Sequence, residues 1–118
     1  MSPRDWRLRI SDILSAIDRI AEYTAGLSHE QFAADQKAID AVEHNLFVIG
    51  EAARHVPPEV RVRHLQIPWA DIVGMRNVLA HQYFETSVRI VFDTAERNLP
   101  DLALALRALL EREGTPDR

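Results

Sequence analysis

The sequence predicts an all-α protein, an up-and-down bundle of four or five helices joined by short connections. Three observations lead there. Along the 118 residues, apolar side chains recur at spacings of three and four, the register of one helix face. Between the periodic segments stand residues that stop and start helices. Nowhere do apolar and polar residues alternate with the period of a strand.

The first segment runs from about Asp5 to Tyr23, with Trp6, Ile10, Ile13, Leu14, Ile17 and Ile20 in register. Gly26 ends it as a C-terminal glycine does. Ser28 and Gln31 have the spacing of a capping box for whatever follows. The second long segment, about Asp35 to His55, carries Ile39, Val42, Leu46, Ile49, Ala53 and Val56 at a 3-4-3-4-3 spacing. Such a narrow seam packs along another helix at a shallow angle. Pro57-Pro58 stops it, because a proline disfavours helical geometry in the residue before it, and a short helical turn from Glu59 to Leu65 is expected next.

Pro68 suits the first position of a third helix, where its missing donor is not needed. That helix runs to about Tyr83 and buries Ile72, Met75, Val78 and Leu79. Gly74 lies inside it and would let another helix approach closely. The fourth segment starts near Thr86 or Ser87, with Val88, Phe92, Ala95, Leu99, Leu102, Leu106 and Leu109 in register. Pro100 predicts a kink or break between Arg97 and Asp101. A polar tail after Gly114 is read as frayed. The whole, residues 1–118, is read as one domain.

Composition narrows the function. With no cysteine there is no disulfide framework, thiol nucleophile or thiolate metal site. The N-terminus mixes charge with apolar residues, unlike a signal peptide. No apolar run reaches the roughly 18 residues of a membrane span, so the expectation is a soluble cytoplasmic protein. A formal net charge of −4 is wrong for a sequence-blind coat on nucleic acid. The charge is uneven, however: from Arg54 to His81 there are four arginines (Arg54, Arg61, Arg63, Arg76), three histidines and only two acids. A solvated basic face and a phosphate-binding cleft both fit that stretch.

The stretch with chemical content is GMRNVLAHQYF, Gly74 to Phe84. At about 100° per residue, Asn77 and His81 share one face of a helix, while Arg76 and Tyr83 share another. One helix does not aim all four groups at a single point; arginine's reach, a helix end near Gln82, or a second copy of the helix would be needed. The residue types restrict the reaction. Histidine, with an ordinary pKa of about 6.5, accepts or donates a proton near neutrality. Arginine stays charged and matches phosphate oxygens. The pair suits attack of a ribose 2′-hydroxyl on the adjacent phosphate, a reaction that needs an acid or base and a cation but no metal, and that DNA cannot undergo.

Several blocks in order carry a resemblance. IPWADIVGMRNVLAHQYF is similar to the HepT-like branch of the HEPN superfamily, whose motif is Arg-x4-His-x-Tyr. DAVEHNLFVIGEAA, Asp40 to Ala53, resembles that family's second helix, ISDILSAIDRIAEYTAGLS its opening helix, and RIVFDTAERNLPDLALALRALL its closing one. The resemblance spans about Trp6 to Leu110. It implies a homodimeric HEPN-like bundle with two motifs lining a shared cleft. It implies the toxin of a type VII-like toxin–antitoxin pair, a metal-independent endoribonuclease acting on transfer or messenger RNA without a cofactor. Carried over by position, His81 moves the proton, Arg76 holds the phosphate and Asn77 supports them. The implied partner is a minimal nucleotidyltransferase antitoxin that transfers AMP from ATP to the motif tyrosine, Tyr83. A bulky anion there would neutralise the arginine.

Other residues read two ways. Glu51 fits a partner orienting Arg76 or His81, and equally a structural salt bridge. Arg54, Arg61, Arg63 and His64 fit an extended RNA surface or a solvated face. His29, His44 and His55 belong to no ligand set, so no metal is expected. Trp6, Phe32, Phe47, Trp69, Phe84 and Phe92 fit core or interface contacts better than base stacking. The alternative to a nuclease is a non-catalytic helical module that binds a nucleotide or the nucleotidyltransferase partner.

Overall fold

The computed structural model describes residues 5–81 and 84–114, without the side chains of 76–81 and 84–87. Helix α1 covers Trp6–Thr24, α2 His29–Ala33, α3 Gln36–Arg54 and α4 Pro58–Arg61, which runs on into a 3₁₀ turn at Val62–His64. Helix α5 covers Trp69–His81, α6 Phe84–Asp93 and α7 Leu99–Glu113, with a π-helical turn at Thr94–Asn98 between the last two. There is no strand among the described residues.

Local chemistry accounts for the boundaries. Asp5 caps α1 by accepting from the Arg7 N–H at 2.9 Å, and Asp35 caps α3 by accepting from the Ala38 N–H at 3.0 Å. The capping box at Ser28 and Gln31 is complete, with both reciprocal bonds formed. Gly26 acts one step later than a helix cap. Ala25 is extended and Gly26 has φ +75°, so the two form a type II turn closed by the Leu27 N–H on the Thr24 carbonyl at 3.0 Å.

The seam of α3 forms the shared wall of the bundle: α1 and α5 both pack along it, and α7 closes against α1. Ile39, Val42, Leu46, Ile49 and Ala53 of that seam are buried, against Ile10, Ile13, Ile17 and Ile20 of α1 and Leu102, Leu106 and Leu109 of α7 in one core. Two polar groups inside it, Thr24 and Asn45, make local bonds. The Thr24 hydroxyl donates to the Ile20 carbonyl, and the Asn45 amide donates to the Ala41 carbonyl.

Two expectations change. Among the described residues, a Cβ built on Gly74 would meet nothing within 4 Å, so Gly74 marks no close helix contact there. The chain around Pro100 stays helical rather than breaking. Instead the helix widens into the π turn just before it, with the Leu99 N–H bonded to the Thr94 carbonyl, five residues back. Pro100 has no N–H, and its ring would press on the carbonyl four residues earlier; a wider turn before the proline relieves both problems.

The end of α7 is held by a cluster with no local sequence signal. Glu113 accepts two bonds from the Arg63 guanidinium, at 2.8 and 2.9 Å, and its Oε2 lies 2.8 Å from His64 Nε2. The Glu113 backbone carbonyl accepts from Arg7 Nε at 3.1 Å. Three segments distant in sequence therefore meet at one residue, Glu113. The Arg63 and His64 bonds lower the Glu113 pKa to about 2 from the ordinary 4.5. A depressed carboxylate pKa stabilises the fold above the unfolded-state value and loses that effect as pH falls toward the folded-state value. We expect wild type to melt above Glu113→Gln at pH 6, and the difference to vanish between about pH 4.5 and pH 2. Equal melting temperatures at pH 6 would remove the cluster from the stability of the fold.

Candidate active site

The helix that carries the motif is fixed at its N-terminal half. Pro68 stands just before α5, and its carbonyl accepts from the Ile72 N–H at 3.1 Å. Trp69 is buried and its indole N–H donates to the His64 carbonyl at 3.1 Å, while the Arg61 guanidinium lies 6.0 Å from the ring centroid. A buried tryptophan with its donor satisfied is a strong anchor. Ile67 and Ile72 are buried beside it, with Val73 and Met75 packed partly against the core. Trp69 is therefore a structural residue.

Helix α5 continues without a break through positions 76, 77 and 81. The rise of a helix puts positions 76 and 81 about 7.5 Å apart along the axis, about 140° apart around it. The side chains of Arg76, Asn77 and His81, and all of Tyr83, lie outside the described residues, as do the side chains of Val78, Leu79 and Phe84. What the backbone does establish is that the motif ends a helix packed along α3.

Glu51 lies on α3, on the neighbouring helix, with its side chain 31% exposed. Its carboxylate is 3.4 Å from the Arg54 guanidinium, an i,i+3 pair on the same helix. Such half-exposed pairs are worth little in stability, about 0.3–0.5 kcal/mol. Phe47, one turn earlier on α3, remains 44% exposed.

The basic stretch from Arg54 to His64 is largely consumed by structure. Arg61 donates to the carbonyls of Ala53 and Val56, both at 3.0 Å, and so closes the C-terminal end of α3. Arg63 is bound to Glu113 and to the Glu59 carbonyl. His64 is buried against the same Glu113. Arg61, Arg63 and His64 thus serve as staples of the fold. Sequence spacing could not reveal this, because Glu113 lies about fifty residues away from its partners.

Comparison with known proteins supplies what the side-chain geometry does not. A family model described as Ribonuclease HepT-like matches residues 13–109. A candidate RNase of Caldanaerobacter subterraneus subsp. tengcongensis is 34% identical over 104 residues, covering 88% of this chain and 93% of that protein. A probable ribonuclease HepT of Thermococcus cleftensis is 37% identical over 93 residues, covering 79% and 84%. A candidate RNase of Methanocaldococcus jannaschii is 35% identical over 102 residues, covering 86% and 88%. No solved structure matches the chain significantly. The family match takes in α3 and the whole of α5 with its Arg-x4-His spacing, and on this ground the chain belongs to the Ribonuclease HepT-like family.

Proposed function

We propose that this chain is the ribonuclease toxin of a toxin–antitoxin pair, a metal-independent endoribonuclease that works as a homodimer. The observation that carries the proposal is the family match over residues 13–109, which encloses Arg76, Asn77, His81 and Tyr83 on and just beyond α5. Relatives named as ribonucleases support the same class of activity.

His81 removes the proton from a ribose 2′-hydroxyl. The 2′-oxygen attacks the adjacent phosphorus, the bond from phosphorus to the 5′-oxygen breaks, and the leaving 5′-oxygen takes up a proton. The products are a 2′,3′-cyclic phosphate and a 5′-hydroxyl. Arg76 balances the charge that builds on the phosphate oxygens. Asn77 and Glu51 hold these two groups in place. A second copy of the chain brings a second motif to the same cleft. The antitoxin, a minimal nucleotidyltransferase, moves AMP from ATP to the Tyr83 oxygen and releases pyrophosphate. The added anion beside Arg76 and His81 blocks the phosphate site.

The test is incubation of the purified chain with end-labelled RNA in EDTA. Cleavage to cyclic-phosphate ends is expected, and RNA carrying 2′-deoxy residues should stay intact at those positions. Uncut RNA with or without added divalent ions would end the proposal. Co-expression with the partner should add whole adenylyl units to the mass of the chain, on Tyr83.

A further inference from the structure

Trp69 opens α5, and the segment before it fixes where the helix starts. The indole N–H donates to the His64 carbonyl at 3.1 Å, and the same carbonyl accepts from the Ile67 N–H, also at 3.1 Å. The first residue of the motif helix therefore follows the 3₁₀ turn that ends at His64. Three residues of 3₁₀ helix have poor bond geometry of their own, so the turn needs support from outside. The His64 ring supplies it. Its side chain is 3% exposed, and its Nε2 lies 2.8 Å from Glu113 Oε2. Nδ1 is buried without a partner among the described residues. An ionised carboxylate only accepts, so Nε2 carries the proton and Glu113 is the group that holds the ring. Glu113 is pinned in turn, by its backbone carbonyl on Arg7 of α1 and by its carboxylate on Arg63.

The last residue of α7 is thus linked to the first residue of α5 through a single amino acid, His64, whose ring meets one and whose carbonyl meets the other. We infer that Glu113 is a positioning residue for RNA cleavage: through His64 and Trp69 it sets the direction of α5, and with it the places of positions 76 and 81. The inference rests on the ribonuclease reading of the chain. Leverage makes the effect large. Position 81 lies about 18 Å along the helix axis from position 69, so a tilt of about 3° at Trp69 moves it by about 1 Å. A misplacement of that size costs on the order of 10²-fold in rate. Without the carboxylate, the His64 ring would keep no bonded nitrogen among the described residues. A buried ring in that state turns toward water or shifts the turn that carries it.

The test is steady-state RNA cleavage by the full chain, well below the melting temperature of each variant, beside amide hydrogen exchange read by mass spectrometry. Glu113→Ala should lower kcat by about 10- to 100-fold and leave KM within about threefold of wild type. Glu113→Gln, which keeps one acceptor, should fall between the two. His64→Leu removes the ring and keeps the carbonyl; in that background Glu113→Ala should change kcat no further. Phe32→Ala controls for lost stability, since it removes a buried ring of α2 and should keep kcat. Amides of residues 70–81 should exchange faster in Glu113→Ala, by a larger factor than those of residues 39–49. A kcat in Glu113→Ala within about threefold of wild type, an equal loss in Phe32→Ala, or a second full loss in the His64→Leu background would overturn the inference. A wild-type chain that cuts no RNA would end the ribonuclease reading instead. Exchange then decides the link from Glu113 to α5 alone, and an unchanged rate at 70–81 would break it.

Discussion

His81→Ala should lower the rate of RNA cleavage by about 10²–10⁴-fold, the usual contribution of a positioned acid or base. The loss should appear in the chemical step and leave the affinity for RNA within a few-fold of wild type. The reason is the division of labour in the motif. The imidazole moves a proton in the transition state, whereas attraction for the polyanion comes from fixed cations. Arg76→Lys makes the contrasting case: it keeps the charge and loses the planar fork that pairs two phosphate oxygens. It should therefore retain more activity than Arg76→Ala. Rates measured across pH should show a rising limb as the imidazole loses its proton and becomes a base, and that limb should be missing in His81→Ala. An alanine variant that cuts RNA within threefold of wild type would remove His81 from the chemistry. The motif would then be a docking surface, as in the non-catalytic reading.

The parts of the fold legible in the sequence are those set by local chemistry. Asp5, Ser28 and Asp35 act through bonds spanning two or three residues, and the proline pair through its own geometry, so these helix ends are set by nearby residues. The seams of α1, α3 and α7 were legible for the same reason, since burial of one face imposes a period. What escaped was everything decided by contacts distant in sequence. Arg61, Arg63 and His64 read as a basic surface until Ala53, Val56 and Glu113 were brought to them. Gly74 read as a place where another helix could approach closely, yet among the described residues nothing lies within 4 Å of where its Cβ would stand. At the site, spacing and family membership locate Arg76, Asn77, His81 and Tyr83 on the chain. Their mutual geometry depends on side chains outside the described residues.

Phe32→Ala should be the most damaging single truncation for stability, and it should act apart from the chemistry. Helix α2 has five residues, too few to form without tertiary support. Its support is Phe32, fully buried, whose ring lies 5.3 Å from that of Phe92 at an angle of 40°. His29, at the start of the same helix, meets Phe92 edge-on at 5.6 Å. Phe92 belongs to α6, so this aromatic cluster is what ties α2 to the arm that follows the motif. Removing the ring forfeits its burial and leaves a void that a five-residue helix cannot close without losing its own contacts. The expected cost is about 3–5 kcal/mol, a large share of the roughly 5–15 kcal/mol that holds a domain together. For a chain of this length the melting temperature should fall by about 10–25 °C. The anchors of α5, Trp69 and Ile72, lie outside that cluster, so well below its own melting point the variant should still cleave RNA. Phe32→Ala would then lose stability and keep activity, while His81→Ala loses activity. A drop smaller than about 1 kcal/mol would mean that α2 is an appendage, and that α6 is held by its contact with α3 and its continuation into the π turn.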